Sequence, residues 1–513
     1  MKKILYASAL ALTLGLSSCS KDFLETSPTD RVDAGTLLTT VQGAQVAMDG
    51  VYRMLYSSGW TTANTSQNFG IMSTKVYTSL MGEDFLQDAQ GSGWFYFDYK
   101  YDVRSRFSST SFRSYATWNF YYTLISNANY ILGAESTITG DANAIKNVMA
   151  QAYAMRAYAY FQLIQGFQQT YVGHQTSPGV PVYTEPTRST SKGNPRGTVE
   201  DVYTQINKDL DISIKYFEDA KIGQRHKSNI DAYVASAIKA NVALVQNQWA
   251  VAETYATKAL DKPASGLISG DDLYSGFNNI KLKNVLWGAE IIAAQSSIWA
   301  SFFSHMDASA GQYAESSRKA IYSWLYNQIP ATDARKKWWH DATDGGTPAT
   351  KPYNQVKFRY SDKATSLGDY VFLRAEEMQL VKAEAQVQQE KYAEAKVTIG
   401  DLMKLRNPTG YEAILNNMSA SKALTMGSIG TPTTLMDQII LQRRIELWGE
   451  SERIYDILRL KTGFDRKAAG SNHSFAPTWN TLDPANKEMI LTIPQKEFDG
   501  NTSLDATKDQ NPI

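Results

Sequence analysis

The chain has 513 residues, of which 43% are hydrophobic and 20% are charged, and its 51 basic and 51 acidic side chains give a formal net charge of zero. This balance, without any run of five or more like charges, argues against a nucleic-acid-binding protein, which needs a basic face. The mean hydropathy of −0.36 and the lack of a second long apolar run argue against a chain that crosses a membrane.

The N-terminus has the pattern of a secretory signal peptide. Two lysines follow Met1, and the uncharged apolar run 4–16 comes next. Cys19, the only cysteine in the chain, follows small residues in a stretch that resembles a bacterial lipobox. A lone cysteine forms no internal disulfide, so its sulfur is available for covalent attachment. We therefore predict a signal peptide over 1–18, lipidation of Cys19 and a lipidated tether over 19–30.

The rest of the chain is predicted to be mainly helical. Apolar residues at spacings of three and four predict helices at about 36–57, 111–135, 143–168, 198–218, 229–261, 371–406 and 433–461. No linker rich in Pro, Gly or Ser divides the interior, so we predict one globular domain over 31–513. Its helical scaffold is expected at about 36–57, 111–261 and 371–461. Ligand-binding loops are expected at about 59–110 and 264–370, because binding residues often lie on loops.

Two of the helical segments contain copies of one hairpin. KANVALVQNQWAVAETYATKAL (239–260) aligns with KAEAQVQQEKYAEAKVTIGDLM (382–403) at a constant offset of 143 residues. The aligned pairs are Lys239 with Lys382, Ala240 with Ala383, Trp249 with Tyr392 and Ala252 with Ala395. Small residues where two helices meet, and a ring near the turn, resemble tetratricopeptide units. Such stacked scaffolds bind partners more often than they catalyse reactions.

The sequence contains no motif for a catalytic or metal site. Its five histidines are far apart, and it has no H-E-x-x-H, G-x-S-x-G or Walker motif. A glycoside hydrolase needs only two carboxylates, and sequence spacing does not reveal their separation. Glu83, Asp84 and Asp88 therefore leave a hydrolase open as an alternative. We expect a non-catalytic protein without a cofactor, and no residues are predicted as metal ligands, although the sequence leaves open whether a calcium ion is bound.

Aromatic residues make up 12% of the chain, and two aromatic-rich segments lie in predicted loops, GSGWFYFDYKYD (91–102) and SSIWASFFSHMDASAGQY (296–313). A pyranose has an apolar C–H face and hydroxyl edges, so a sugar site needs flat rings beside polar groups. The candidates for sugar contacts are Trp94, Tyr96, Asp84, Trp299 and Tyr313. The alternative for each ring is packing of the loop onto the scaffold. The next candidates are Trp60, Trp338 and Trp339.

Four stretches resemble the SusD/RagB family of surface lipoproteins from Bacteroidetes. They are CSKDFLETSPTDRV after the lipobox, FLRAEEMQLVKAEAQ, QRRIELWGESERIYDILRLKTG (442–463) and the tail LTIPQKEFDGNTSLDATKDQNPI. The stretches occur in the family order and cover the chain from Cys19 to Ile513. The resemblance implies a SusD-like fold, mainly α, with tetratricopeptide-like hairpins as scaffold, long irregular loops and little β structure.

The charged stretch 442–463 departs from the family pattern at Gln442, where Glu is usual, and at Ser451, where Gly is usual. Its remaining charges fall at spacings of three and four, so on one helix they would form ion pairs. We expect pairs such as Glu446 with Arg443 and Glu450 with Arg453, in a buried network that positions the helix. The resemblance also places this stretch in the scaffold and not in the ligand site.

The resemblance implies a function as well. Family members lie on the outer face of the outer membrane, where they capture glycans, or in some cases peptides, for import. We therefore expect a lipid-anchored glycan-binding protein that delivers oligosaccharide or polysaccharide to a SusC-like TonB-dependent transporter. The alternatives are a peptide-binding member of the same family and a surface-anchored glycan hydrolase.

Overall fold

The computed structural model describes residues 37–59, 65–102, 108, 110–188 and 190–513. The predicted signal peptide, Cys19, the tether and Trp60 lie outside the described residues. Within the described part of the chain there are 18 α-helices and six short strands. None of these helices combines the length and the apolar character that crossing a membrane requires.

The first half of the chain is built mainly from long helices. Its elements are α1 Val41–Met54, α2 Ile71–Met81, β1 Phe85–Gln87, α3 Tyr96–Tyr99, α4 Phe112–Gly133, α5 Ala142–Phe167, β2 Pro178–Pro181, β3 Arg196–Thr198, α6 Val199–Ala220, α7 Ala232–Val245 and α8 Trp249–Leu260. Several helices begin at a side-chain cap, among them α6, where Thr198 and Asp201 form the capping box that T-V-E-D predicts.

The second half alternates short elements with two further groups of helices. Its elements are β4 Val285–Ala289, α9 Phe302–Met306, α10 Tyr313–Ser316, β5 Lys319–Ile321, α11 Ser323–Asn327, β6 Tyr370–Arg374, α12 Ala375–Gln388, α13 Tyr392–Arg406, α14 Tyr411–Asn416, α15 Leu435–Glu446, α16 Arg453–Leu460, α17 Gln495–Gly500 and α18 Ala506–Asp509. The predicted mainly α fold with little β structure is confirmed.

The long helices form a stack in which α4, α5, α6, α7, α8, α12 and α13 each pack against the next. The predicted repeat is confirmed, because α7 and α12 have the same bounds at an offset of 143, and α8 and α13 begin at the same offset, although α13 continues three residues further. Their turns match too, with left-handed backbone at Asn247 (φ 58°) and Glu390 (φ 61°). The four aligned alanines are fully buried, since the paired helices approach closely there.

One helix boundary and one whole helix differ from the expectation. The segment 371–406 begins with the strand β6, whose five residues are all buried, and a short apolar run does not distinguish strand from buried helix. The region 59–110, predicted as loop, contains the helix α2. All eleven residues of α2 are buried, so the helix has no solvent-exposed face. Its sequence therefore lacks the separation into an apolar and a polar face that predicts an amphipathic helix.

The strands form three two-stranded antiparallel sheets, β1 with β5, β2 with β3 and β4 with β6. In the first sheet Phe85 lies opposite Ile321 and Gln87 lies opposite Lys319. This pairing joins parts of the chain that are more than 200 residues apart in sequence. It therefore brings the loop that follows β1 next to the segment that precedes β5, and both aromatic-rich segments come together.

The charged stretch 442–463 is buried, as expected, but its predicted pairs are wrong. It forms two helices, α15 and α16, separated by a turn at Gly449 (φ 75°), so its charges do not share one helical face. Glu446 pairs instead with arginines distant in sequence, Arg335 at 3.1 Å, Arg374 at 2.8 Å and Arg406 at 2.9 Å. These four side chains are completely or almost completely buried, and they tie α13, β6 and α15 together.

Candidate functional site

Three of the five predicted contact residues form a row of rings, which we call the platform: Trp94, Tyr313 and Trp299. The ring centroids of Trp94 and Tyr313 are 6.1 Å apart, and those of Tyr313 and Trp299 are 4.9 Å apart. Trp299 is 48% exposed, whereas Trp94 and Tyr313 are partly buried. The rings are inclined to one another at 68° and 49°, so the platform exposes mainly Trp299 to solvent, with Tyr313 and Trp94 behind it.

A tight turn holds Trp94 in place. Gly91 and Gly93 have positive φ angles of 53° and 87°, and a Cβ at Gly91 would lie 2.8 Å from Ser317 Cβ. The next residue, Phe95, is fully buried, and its N–H donates to Gln67 Oε1 over 2.8 Å. The Gly-Ser-Gly sequence is thus a turn packed against the segment before β5, which fixes Trp94 close to Tyr313.

His305 supports the platform from the protein interior. Its ring stacks on Tyr313 with centroids 4.9 Å apart and an interplanar angle of 23°. Nε2 lies 2.6 Å from the carbonyl oxygen of Ser66, so Nε2 carries the proton and donates it. Burial, together with the nearby Lys319 ammonium, lowers the pKa of His305 to about 3. The imidazole is therefore neutral at physiological pH and acts as a buried, flat support.

Hydrogen bonds of serine hydroxyl groups hold Tyr313 and the segment around Trp299 in place. Ser66 Oγ and the Tyr313 hydroxyl are 3.0 Å apart, which ties Tyr313 to the segment before α2. The Trp299 carbonyl accepts from Ser304 Oγ at 2.7 Å, and Ser301 caps the N-terminus of α9. Sequence reasoning missed Ser66 and His305, because nothing in their local sequence shows that they lie under Tyr313.

A small pocket lies beside Trp299. Its volume is about 40 Å³, and its walls carry hydroxyl, amide and aromatic side chains. The lining residues are Tyr56, Ser57, Ser58, Ile291, Gln295, Ser297, Ala300, Ser301, Phe303, Ser366, Gly368 and Tyr370. The lining residues Ser297, Ala300 and Ser301 flank Trp299 in the sequence, and sequence reasoning did not name any of the twelve.

Tyr96 has different neighbours from the platform. It lies 6.2 Å from the ring of Phe97, and the Lys100 ammonium lies 5.4 Å from its ring centroid. The same ammonium lies 5.5 Å from the ring of Phe475. Tyr96 therefore belongs to a second aromatic group at α3 and stays a prediction as a contact residue.

The structure corrects the expectation for Asp84. The residue is 3% exposed, and its carboxylate oxygens accept from Arg444 Nη2 at 2.6 Å and Arg444 Nε at 2.9 Å. Arg453 Nε lies 3.1 Å from the same carboxylate. Asp84 is therefore an internal ion-pair partner and does not reach a ligand. Asp84 is close to Trp94 in sequence, but it lies in the protein interior because it directly precedes the buried strand β1.

The remaining acidic candidates form ion pairs with arginines, and the tryptophans Trp338 and Trp339 are buried. Glu83 is fully buried and bonds Arg444 at 2.9 Å and Arg453 at 2.8 Å, while Asp88 bonds Arg318 at 2.7 Å. All three candidate carboxylates, those of Glu83, Asp84 and Asp88, are thus paired with arginines. Trp338 and Trp339, at 1% and 3% exposure, are core residues and not alternative contact residues.

Among the residues that the structure describes, no group of three or more His, Cys, Asp or Glu side chains is arranged to hold a metal ion. What this region offers a ligand is therefore an aromatic face with hydroxyl and amide groups beside it.

Two family profiles match the chain. Residues 22–240 match a SusD-like family described as starch-binding and associating with the outer membrane, and residues 308–513 match the SusD family. Among curated proteins, the chain is similar to SusD-like protein P2 of Formosa agariphila. The two are 24% identical over 427 residues, which cover 76% of this chain and 79% of that one.

Solved structures show the same fold. A SusD-like carbohydrate-binding protein from Bacteroides vulgatus superposes with a TM-score of 0.77 at 22% identity, over 92% of this chain and 98% of that one. A surface glycan-binding protein A from Bacteroides uniformis superposes with a TM-score of 0.64 at 17% identity, over 92% and 99% of the two chains. On the family matches and the shared fold, this chain belongs to the SusD family.

Proposed function

We propose that this chain is a cell-surface glycan-binding protein that captures oligosaccharide or polysaccharide and delivers it to a SusC-like TonB-dependent transporter. The observation that carries the proposal is the platform, the aromatic cluster of Trp94, Tyr313 and the exposed Trp299, whose neighbours in sequence line a pocket with hydroxyl and amide groups. Aromatic faces pack against the apolar side of a pyranose, and the polar groups bond its hydroxyls. The printed descriptions of the relatives, which include carbohydrate and glycan binding, support the same class of ligand.

The protein is proposed to bind its ligand without cleaving it. Hydrolysis of a glycoside needs one carboxyl group on each side of the scissile bond. The carboxylates nearest in sequence to Trp94 are held by arginines: Asp84 by Arg444, Asp88 by Arg318 and Asp98 by Arg113. These pairs favour a binding protein over the alternative of a surface-anchored hydrolase.

Native electrophoresis through gels that contain single polysaccharides tests this proposal. We expect at least one polysaccharide to retard the protein, while reducing-end assays of the same mixtures show no release of sugar. Release of reducing ends would favour the hydrolase. Retardation by no polysaccharide, together with binding to a peptide library, would favour the peptide-binding alternative.

The location of the protein is proposed from its N-terminus. The signal-like run 4–16 and the single cysteine support an outer-membrane lipoprotein anchored through Cys19 and facing the cell exterior. Acyl chains contribute about 0.8 kcal/mol per buried methylene, so several chains would anchor the protein stably. A tether of roughly ten residues reaches only about 30 Å, which keeps the domain close to membrane proteins such as a transporter.

We expect the Cys19→Ala variant to be absent from the protease-accessible surface of intact cells, because it has no site for the lipid. Tagged wild-type protein extracted in mild detergent is expected to bring a TonB-dependent barrel with it. The measurements are surface proteolysis and mass spectrometry of the purified complex. Unchanged membrane attachment of Cys19→Ala would contradict the anchor, and repeated purification without an expressed barrel would contradict the partner.

A further inference from the structure

A cavity of about 70 Å³ lies within the helical scaffold. Its walls come from α2, α5, α7, α12, α15 and α16 and from the strands β4 and β6. None of its lining residues belongs to the platform or to the small pocket that Ser297 and Ser301 line. Its volume is sufficient for about five or more water molecules, at roughly 10–15 Å³ each, and therefore for a small organic molecule.

Two buried polar groups on the cavity wall lack a hydrogen-bond partner. Gln162 is 5% exposed, and its Oε1 accepts no hydrogen bond from any residue that the structure describes. Arg443 is 8% exposed, and its Nε donates to Asp456 Oδ2 over 2.8 Å, but its Nη1 donates to none of these residues. Leaving a buried donor or acceptor unpartnered destabilises a fold. A molecule in the cavity supplies what is missing if it offers Arg443 an acceptor and Gln162 a donor.

Two carboxylates on the cavity wall also lack a countercharge. Asp456, the third lining carboxylate, is neutralised by Arg443 at 2.8 Å and by Arg459 at 2.7 Å. In the ranges of the chain described above, Glu452 and Glu377 take part in no ion pair. The cavity therefore has room for a cationic group beside these two carboxylates.

The surroundings of Glu452 favour a cationic ligand group next to it. Burial raises the pKa of Glu452 above its ordinary value, the Lys75 ammonium opposes this change, and the Glu377 carboxylate adds to it. The Lys75 ammonium donates to the carbonyl oxygen of Glu450 over 2.6 Å, so one of its hydrogens is already engaged. A cation beside a buried carboxylate stabilises its charged form. A primary ammonium group has three donors, which suit Glu452 and the unpartnered Oε1 of Gln162.

Much of the remaining wall is apolar. Phe161, Trp287 and Phe372 contribute aromatic rings, and Ile238 and Val245 contribute aliphatic groups. Burying apolar surface of a ligand against such groups is favourable. The cavity thus combines partners for charged groups of both signs with apolar surface for a side chain.

We infer that this cavity binds a neutral α-amino acid in its zwitterionic form, as a second ligand at a site separate from the proposed glycan site. The ammonium group bonds Glu452 and Oε1 of Gln162, the carboxylate accepts from Nη1 of Arg443, and the side chain packs against the apolar wall. A simple amine lacks the charged acceptor for Arg443, and a simple carboxylic acid lacks the cation for Glu452. A zwitterion supplies both in one small molecule.

Isothermal titration and thermal unfolding test the inference, with glycine, L-alanine, L-serine, L-valine and L-leucine as probes. We expect at least one of them to bind saturably and to raise the thermal midpoint, because it binds the folded state. The amine and the carboxylic acid that each lack one of its charged groups, ethylamine and propionate in the case of alanine, are expected to bind at least about tenfold more weakly. Equal binding of either analogue would overturn the inference. Binding of none of the amino acids would overturn it too, and would show that the cavity holds only water.

Two variants on α5 distinguish a ligand site from a structural role. Gln162→Met keeps the size of the side chain and removes the unpartnered amide, so it is expected to unfold at the same or a higher temperature than the wild type when no ligand is present. Its affinity for the amino acid that binds is expected to fall at least about tenfold. Gln151→Met is the matched control, because Gln151 Oε1 accepts from the Tyr52 hydroxyl over 3.0 Å within the protein.

Gln151→Met is expected to lower the thermal midpoint and to leave the affinity for the amino acid unchanged. A Gln162→Met variant that binds the amino acid as tightly as the wild type would overturn the inference. Gel retardation of Gln162→Met by a polysaccharide is expected to equal that of the wild type, since the two sites share no residue. Failure of the amino acids to bind would leave this retardation intact, so the inference and the proposed function fail separately.

Discussion

Replacing Glu446 by glutamine is expected to lower the free energy of unfolding by about 3–5 kcal/mol, the usual cost of breaking a buried ion pair. The carboxylate bonds three buried guanidinium groups, those of Arg335, Arg374 and Arg406. Glutamine has a similar size but no charge, so these cations would lose their common counterion in the protein interior. Chemical denaturation at neutral pH measures the difference.

The same variant should change how stability depends on pH. Burial disfavours the charged form of Glu446, but Arg406, Arg374 and Arg335 outweigh it and hold its pKa well below the ordinary value of 4.5. A group with a lowered pKa stabilises the fold above its unfolded pKa and loses that effect as the pH falls through its folded pKa. Wild-type stability should therefore decrease below about pH 4.5, and the decrease should be smaller in Glu446→Gln.

Glu390→Gln is the control for this prediction. Glu390 pairs with Lys422 on the surface, where solvent screens both charges. Its replacement is expected to leave the unfolding curve essentially unchanged. A Glu446→Gln variant as stable as Glu390→Gln would show that the buried network does not hold α13, β6 and α15 together.

Trp299→Ala and Trp94→Ala are each expected to weaken glycan binding at least tenfold. Covering roughly 80 Å² of a tryptophan face is worth about 2 kcal/mol, which corresponds to about a thirtyfold change in dissociation constant. Trp299 is 48% exposed, so its removal should lower the thermal midpoint by only a few degrees. Isothermal titration with a glycan that retards the wild type measures the affinity.

Trp249→Ala is the matched control, because Trp249 lies at the start of α8 in the hairpin and packs against the core. It should lower stability and leave the affinity unchanged. Normal binding by both platform variants would place the site elsewhere, and unfolding of both would show that the rings are part of the core.

Much of the fold is predictable because it rests on local patterns. Helical periodicity predicts the long helices, and the offset of 143 residues predicts the repeated hairpin together with its buried alanines. The helix α2 is not predictable in this way, because all its faces are buried. The ion pairs of Glu446 are not predictable either, since they join residues that are far apart in sequence and depend on the turn between α15 and α16.

The same limit applies to the candidate site: local sequence patterns identify some of its residues but not how they are arranged. Trp94 and Trp299 attract attention in the sequence as rings in polar loops, but only the pairing of β1 with β5 shows that both lie beside Tyr313. Asp84 was misassigned because neighbours in sequence need not share a surface.

The central claim, that Trp94 and Trp299 contact the glycan, is tested most directly by fluorine NMR. The protein contains 11 tryptophans, so labelling with 5-fluorotryptophan gives a countable set of signals, and the Trp94→Phe and Trp299→Phe variants assign the two that matter. We predict that adding a glycan that retards the protein in gels shifts these two signals far more than the other tryptophan signals. Unchanged Trp94 and Trp299 signals, with shifts at other tryptophans during saturable binding, would contradict the account.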